Sequence, residues 1–229
     1  MSKVQMRQPA RGTGEPHRGH FVYVKLCEAL RQGKFAPGQK LKLREIAGQF
    51  DTSLTPAREA LQRLVAQKIL TSNLNSTITV FDPTAKEFLE FTRIRIDLEC
   101  LATEWALENI SPEQLQVISN KHDKYKQALQ RHNWQQVVAA NEKFHMSIYE
   151  AADMPNLLEI IQDIWLKMGP TIGQYLSKKG FIESRELTDT HDDLIDALSS
   201  KNKRAAQKAV KQDIETLAQY IYRIKNMSD

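Results

Sequence analysis

Two groups of residues in this 229-residue chain have types and spacings that could do chemistry. In the first, Ser53, Thr55 and Arg58 follow closely on one another, with Arg44 upstream and Arg63 downstream. An arginine grips a guanine edge or a phosphate through two parallel N–H donors, and small hydroxyls beside helix N-terminal amides suit phosphate oxygens. In the second, Asn141 and His145 stand four residues apart, one above the other on a helix face, a geometry that can hold one ion. Arg95 and Glu99 share that spacing and leave two readings open: a structural ion pair, or an arginine placed to neutralise a carboxylate ligand.

The elements that must position the first group can be read from apolar periodicity. Val22, Val24, Leu26, Ala29 and Leu30 mark a helix from Phe21 to Gly33, closed by Gly33 and Pro37-Gly38. Leu43, Ile46, Ala47 and Phe50 form an i, i+3, i+4, i+7 stripe in a second helix over Leu41 to Phe50, and Asp51 to Ser53 make its turn. Thr55-Pro56 puts a hydroxyl at an N-cap and a proline at the first helical position of a third helix, which runs to about Lys68. Its inner stripe is Ala57, Ala60, Leu61, Leu64 and Val65, which turns Arg58, Gln62 and Arg63 the other way. Two helices joined by a short turn, the second polar and basic outward, make a helix-turn-helix that presents its second helix to the major groove. Ile69-Leu70 and Ile78-Thr79-Val80, separated by Asn, Ser and Thr, read as a small β-wing.

Beyond Thr84 the period is helical throughout, with helices near 85–109, 112–131, 134–152, 155–177, 184–199 and 203–225. The fold class is therefore mostly α: a winged helix-turn-helix of three helices and a small wing, then an all-α antiparallel bundle able to enclose a ligand. The domains follow as a flexible arm over 1–19, a DNA-binding domain over 20–82, and a ligand-binding and dimerisation domain over 83–229. Charge agrees with that division. Residues 1–82 carry 13 Lys and Arg against 6 Asp and Glu, and the rest 19 against 22, so a basic front half faces a polyanion. Cys27 and Cys100 are far apart and read as reduced, buried thiols, and no apolar run reaches the roughly 18 residues of a membrane span. The polar N-terminal stretch lacks a secretory apolar core, which points to the cytoplasm. Trp165, Met168 and Tyr175 line either core or pocket, and His122 and His132 are expected to face solvent.

The segments Pro37-Gly38-Gln39-Lys40-Leu41, Leu43-Arg44-Glu45-Ile46-Ala47 and Ser53-Leu54-Thr55-Pro56-Ala57-Arg58-Glu59-Ala60-Leu61-Gln62-Arg63-Leu64 resemble the winged helix of the GntR family. The resemblance implies that Arg44, Ser53, Thr55 and Arg58, with Arg63 as a further candidate, meet a double-stranded DNA operator. Two departures stand out: Leu54 occupies a position that is often Arg in the family, and the wing reads Ser72-Asn73-Leu74-Asn75-Ser76-Thr77 without a glycine tip.

Arg93-Ile94-Arg95 with Leu98-Glu99, Asn141-Glu142-Lys143-Phe144-His145 with Ile148, and His191 with Ala197-Leu198 resemble the FadR-like branch, in its VanR-type six-helix FCD form. Many of its members bind a divalent metal through an Asp, a His four residues on, and two later His, and the metal holds a carboxylate effector. The resemblance places Asn141, His145, His191 and Asp213 at those positions, a changed set that could take zinc, nickel or manganese. A metal-free polar cavity built on His145 and His191 is the other reading, and Arg95, His145 and His191 are the effector candidates. The expected function is an effector-responsive transcriptional regulator, not an enzyme, acting as a homodimer on a palindromic operator. The alternatives are a constitutive DNA-binding protein whose helical domain only dimerises, and a metal-dependent enzyme at the same cluster.

Overall fold

The computed structural model describes residues 15–73, 77–176 and 186–226. Residues 1–14 of the expected arm, Leu74 to Ser76 of the wing, and the expected helix ends at Ser177 and Ser184 lie outside the described residues. The chain divides into two compact units, residues 1–28 with 40–79, and residues 29–39 with 80–229.

The first unit holds most of α1 (Glu15–Arg31), then β1 (Lys40–Leu41), α2 (Leu43–Gln49), α3 (Leu54–Ala66), β2 (Leu70–Ser72) and most of β3 (Ile78–Val80). Helix α1 starts four residues before position 19, where the arm was expected to end. The apolar stripe of α3 is buried at Ala57, Ala60, Leu61 and Leu64, as its spacing requires, together with Val22 and Leu26 of α1 and Ile46 and Ala47 of α2. The strands form a three-stranded sheet in the order β1-β3-β2, with Lys40 opposite Thr79 and Leu41 opposite Ile78. Strand β1 has only two residues, too few for alternation to show in sequence, and it takes Leu41 from the expected second helix.

Gly33 follows α1 with a φ of +62°, and Gly33 N–H and Lys34 N–H donate to Leu30 O and Ala29 O. This is a Schellman ending, and only glycine takes that backbone without strain. The close approach matters as well, because a Cβ on Gly173 would come within 2.5 Å of the Gly33 Cα.

The second unit is a bundle of α4 (Ala85–Asn109), α5 (Pro112–Gln130), α6 (Trp134–Glu150), α7 (Pro155–Leu176), α8 (Glu186–Ser199) and α9 (Lys203–Asn226). Capping chemistry sets several starts. Thr84 and Glu87 form a reciprocal capping box on α4, Ser111 and Gln114 another on α5 ahead of Pro112, and the Asn133 side chain caps α6. Helix α4 packs chiefly on α9 and α7, α5 on α6, and α8 on α9. The main core joins Ala102, Ala106, Phe144, Ile148, Tyr149, Trp165, Leu194, Leu198, Val210 and Ile214, and a second cluster holds Phe88, Met168, Ile172, Tyr175 and Ile221. Trp165, Met168 and Tyr175 are thus core residues. Among the described residues, no helix is long and apolar enough to cross a membrane.

Candidate nucleic-acid interface and metal centre

Helix α3 begins one residue before the Thr55 expected to cap it. Its N-cap is Ser53, in extended backbone with φ −76° and ψ 170°, and the Ser53 hydroxyl makes no capping hydrogen bond. Pro56 therefore falls in the first turn, where its missing N–H costs nothing. The unspent first-turn amides and the hydroxyls of Ser53 and Thr55, both exposed, form a positive helix end facing solvent. Arg44 on α2 and Arg58 on α3 are exposed too, and among the described residues neither forms an ion pair within the chain. Arg58 and Gln62 line a groove of about 590 Å³ between α3 and the sheet, whose rim carries Lys40 and Lys42. Sequence reading missed Lys40 and Lys42 as neighbours of Arg58, because the two-residue strand that brings them there leaves no periodic signal.

Arg63 is placed differently. It lies about 140° around the helix from Arg58, and its guanidinium stacks on the Tyr23 ring, 3.8 Å from the centroid. Tyr23 in turn donates from its hydroxyl to Gln67 at 3.0 Å, so Arg63 fastens α3 to α1.

In the helical unit, α6, α8 and α9 bring His145, His191 and Asp213 together. His145 Nε2 is 3.1 Å from His191 Nε2 and 3.2 Å from Asp213 Oδ2, and His191 Nε2 is 3.2 Å from Asp213 Oδ1. Two ligand atoms each about 2.1 Å from one ion lie about 3.0 Å apart at a right angle and about 3.4 Å apart at the tetrahedral angle. The two imidazole nitrogens are spaced as neighbouring ligands of one ion, and the carboxylate lies beside both, one oxygen toward each.

Hydrogen bonding satisfies all but one nitrogen of this triangle. Tyr149 donates its hydroxyl proton to Glu99 Oε2 at 2.5 Å, so its oxygen is left to accept from His145 Nδ1 at 3.3 Å. In the neutral ring that arrangement puts the His145 proton on Nδ1 and leaves Nε2 to accept from His191 Nε2 at 3.1 Å. His191 can protonate Nε2 toward Asp213, but its Nδ1 then remains buried with no hydrogen-bond partner among the described residues. Burial holds the His191 pKa below its ordinary value, which favours the neutral ring that a metal requires. Burial also opposes ionisation of Asp213, yet the imidazoles of His191 and His145 overcome it and hold the carboxyl well below the usual carboxylate range. Thr190 steadies Asp213 by donating to Oδ1 at 3.1 Å. The donor set fits a divalent cation. Asn141 is buried one turn before His145 on α6.

Beside the triangle lies a second buried network. Arg95 donates to Glu99 Oε1 at 2.6 Å and sits over the Trp165 ring at 4.7 Å, while Trp165 Nε1 donates to the same Glu99 oxygen at 3.0 Å. Burial works against the Arg95 charge, but Glu99 more than compensates and raises its pKa. The guanidinium is thus bound to Glu99 in this structure. His122, expected to face solvent, is buried on the inner face of α5, its ring 5.9 Å from that of His191, and burial pushes its pKa down to about 4. The spacing Ile118, His122, Tyr125 placed it on that face, and reading polarity ahead of period misplaced it. His132 is exposed in the turn after α5, as expected.

Residues 19–80 match the family model for bacterial regulatory proteins of the gntR family, and residues 90–216 match the FCD domain model. The HTH-type transcriptional regulator McbR of Escherichia coli K12 is 32% identical over 182 residues, covering 80% of this chain and 82% of McbR. A probable D-xylose utilization operon transcriptional repressor of Paenarthrobacter nicotinovorans is 26% identical, covering 79% of this chain and 78% of its own. The solved structure of E. coli McbR/YncC superposes with a TM-score of 0.85 at 29% identity, covering 90% of this chain and 98% of that one.

Proposed function

Because the chain belongs to the GntR family of bacterial regulatory proteins and is a DNA-binding transcriptional regulator with an FCD domain, we propose that it is an effector-responsive homodimer reading a palindromic operator. Its work is then done on DNA in the cytoplasm, and the bound small molecule is sensed, not turned over. In this reading the DNA-binding domain spans residues 20–82 and the effector domain follows it. Ser53, Thr55, Arg44 and Arg58 supply the contacts to DNA. The observation that carries the sensing half is the buried cluster of His145, His191 and Asp213, in which His191 Nδ1 has no hydrogen-bond partner among the described residues.

These three residues would hold a divalent ion, with Asn141 as a fourth donor on the same helix as His145. Zinc, nickel and manganese all accept two imidazoles and a carboxylate. When bound, the ion supplies a Lewis-acidic positive centre for an anionic oxygen. Arg95 and Glu99 cancel each other, and imidazoles bind a metal in their neutral form, so Asp213 and a divalent ion would leave one net positive charge. That balance suits a carboxylate effector, held at His145, His191 and their ion, with Arg95 contributing only if the effector displaces Glu99. Effector binding acts on DNA through its differential affinity for the DNA-competent and incompetent arrangements, typically about 1 to 3 kcal/mol.

Dimerisation is assigned to the outer face of α4. Ile94, Leu101 and Trp105 are 37%, 41% and 40% exposed, and at 100° per residue they fall within about 20° of one line. A twofold axis that crosses two α4 helices antiparallel buries apolar on apolar.

Two measurements test the function. Arg58→Ala and Arg44→Ala should each weaken operator binding by about 1 to 3 kcal/mol without unfolding the protein, read by fluorescence anisotropy on a selected operator. Unchanged binding by both would sink the interface. Elemental analysis should find about one divalent ion per chain, with stabilisation by small carboxylates that EDTA abolishes. Metal-free protein indifferent to every ligand would leave a constitutive DNA-binding protein.

A further inference from the structure

Leu54 is the first residue of α3 and is 42% exposed, between the hydroxyls of Ser53 and Thr55. Most large apolar side chains of this helix are turned inward. Leu54 departs from that stripe and instead starts a different row, because Leu54, Arg58 and Gln62 follow one another at intervals of four, which sets them about 40° apart per step on one face. All three are exposed. The row therefore runs from a branched alkyl group through a guanidinium to a carboxamide, beginning at the helix N-terminus that a helix-turn-helix directs into the major groove.

Each type has a counterpart among base edges. A guanidinium matches the two acceptors of guanine, a carboxamide matches the donor and acceptor of adenine, and an alkyl group matches the C5-methyl of thymine, the one apolar feature of the major groove. The leucine side chain has no hydrogen bond to offer a phosphate, so in the major groove its best-matched partner is such a methyl group. We propose that Leu54 is a specificity-determining residue that packs on a thymine methyl in each operator half-site. The proposal rests on the reading of α3 as the recognition helix and adds what the first position of that helix selects.

The contact makes a sharp prediction, since uracil differs from thymine only by that methyl group. Selection of binding sites from random duplex DNA by the full-length protein should return half-sites with one invariant thymine. Replacing that thymine by uracil, position by position, should weaken the wild-type protein about three- to tenfold at a single position per half-site, the worth of one or two buried methyl-sized contacts. Leu54→Ala, exposed and so harmless to folding, should bind thymine and uracil operators equally while keeping the preferences at other positions. The proposal is overturned if no thymine-to-uracil change affects the wild type, or if the change costs Leu54→Ala as much as it costs the wild type. Failure to select any sequence at all would overturn the recognition-helix reading along with it, whereas failure of the uracil arm alone would leave that reading standing.

Discussion

Tyr149 governs more of the buried centre than its position in the core suggests. Its hydroxyl is spent on Glu99, and the oxygen that remains fixes the proton of His145 on Nδ1. Partners of this kind orient metal ligands, and losing them typically costs 10- to 100-fold in metal affinity. Tyr149→Phe should therefore weaken zinc or nickel binding by about that factor in a chelator competition, while the metal-free protein keeps its fold. An unchanged affinity would mean that something other than Tyr149 sets the His145 tautomer. None of this partnership could be read from sequence, because Glu99 and Tyr149 are fifty residues apart on different helices. The triangle itself was partly legible. A resemblance named His145, His191 and Asp213 as candidates, but only the packing of α6, α8 and α9 brings one ligand atom from each within 4.8 Å of the others.

At the level of elements, what sequence fixed best were helices whose ends carry their own chemistry. Helix α4 lies at the expected 85–109 and α5 starts at the expected Pro112, ending one residue short of 131, and in the structure Thr84 with Glu87 and Ser111 with Gln114 cap their starts. What escaped was β1, whose two residues gain their identity only by pairing with β3. The capping box has a pH dependence that can be worked out. The Thr84 backbone N–H and hydroxyl both donate to the Glu87 carboxylate, and they lower its pKa. A carboxyl with a lowered folded pKa contributes stability above its ordinary value and loses it as pH falls through the folded value. Thr84→Ala should cost about 1 kcal/mol near neutral pH, and the difference from wild type should shrink in urea titrations run below pH 4. A constant difference across that range would show that the charged form of Glu87 plays no part in holding the start of α4.

For the whole molecule, the decisive question is how two copies meet, since a single short recognition helix makes too few contacts to specify an operator. Neither burial nor hydrogen bonding within one chain accounts for the exposed Ile94, Leu101 and Trp105. Three large apolar side chains on one line of one helix would form a continuous apolar patch, which soluble proteins seldom leave exposed. In the proposed dimer the antiparallel crossing of two α4 helices would cover it. Leu101→Glu places a carboxylate near the middle of that seam, opposite the apolar stripe of the second copy. Burying an unpaired charge there costs several kcal/mol twice over, once per protomer. The variant should elute as a folded monomer in light-scattering chromatography at micromolar concentration, with an unchanged circular dichroism spectrum. Its affinity for a palindromic operator should fall much more than its affinity for an isolated half-site, because the covalent fold of each reading head is intact and only their linkage is lost. A Leu101→Glu protein that remains dimeric would move the interface off α4, and would leave the apolar stripe to a different partner.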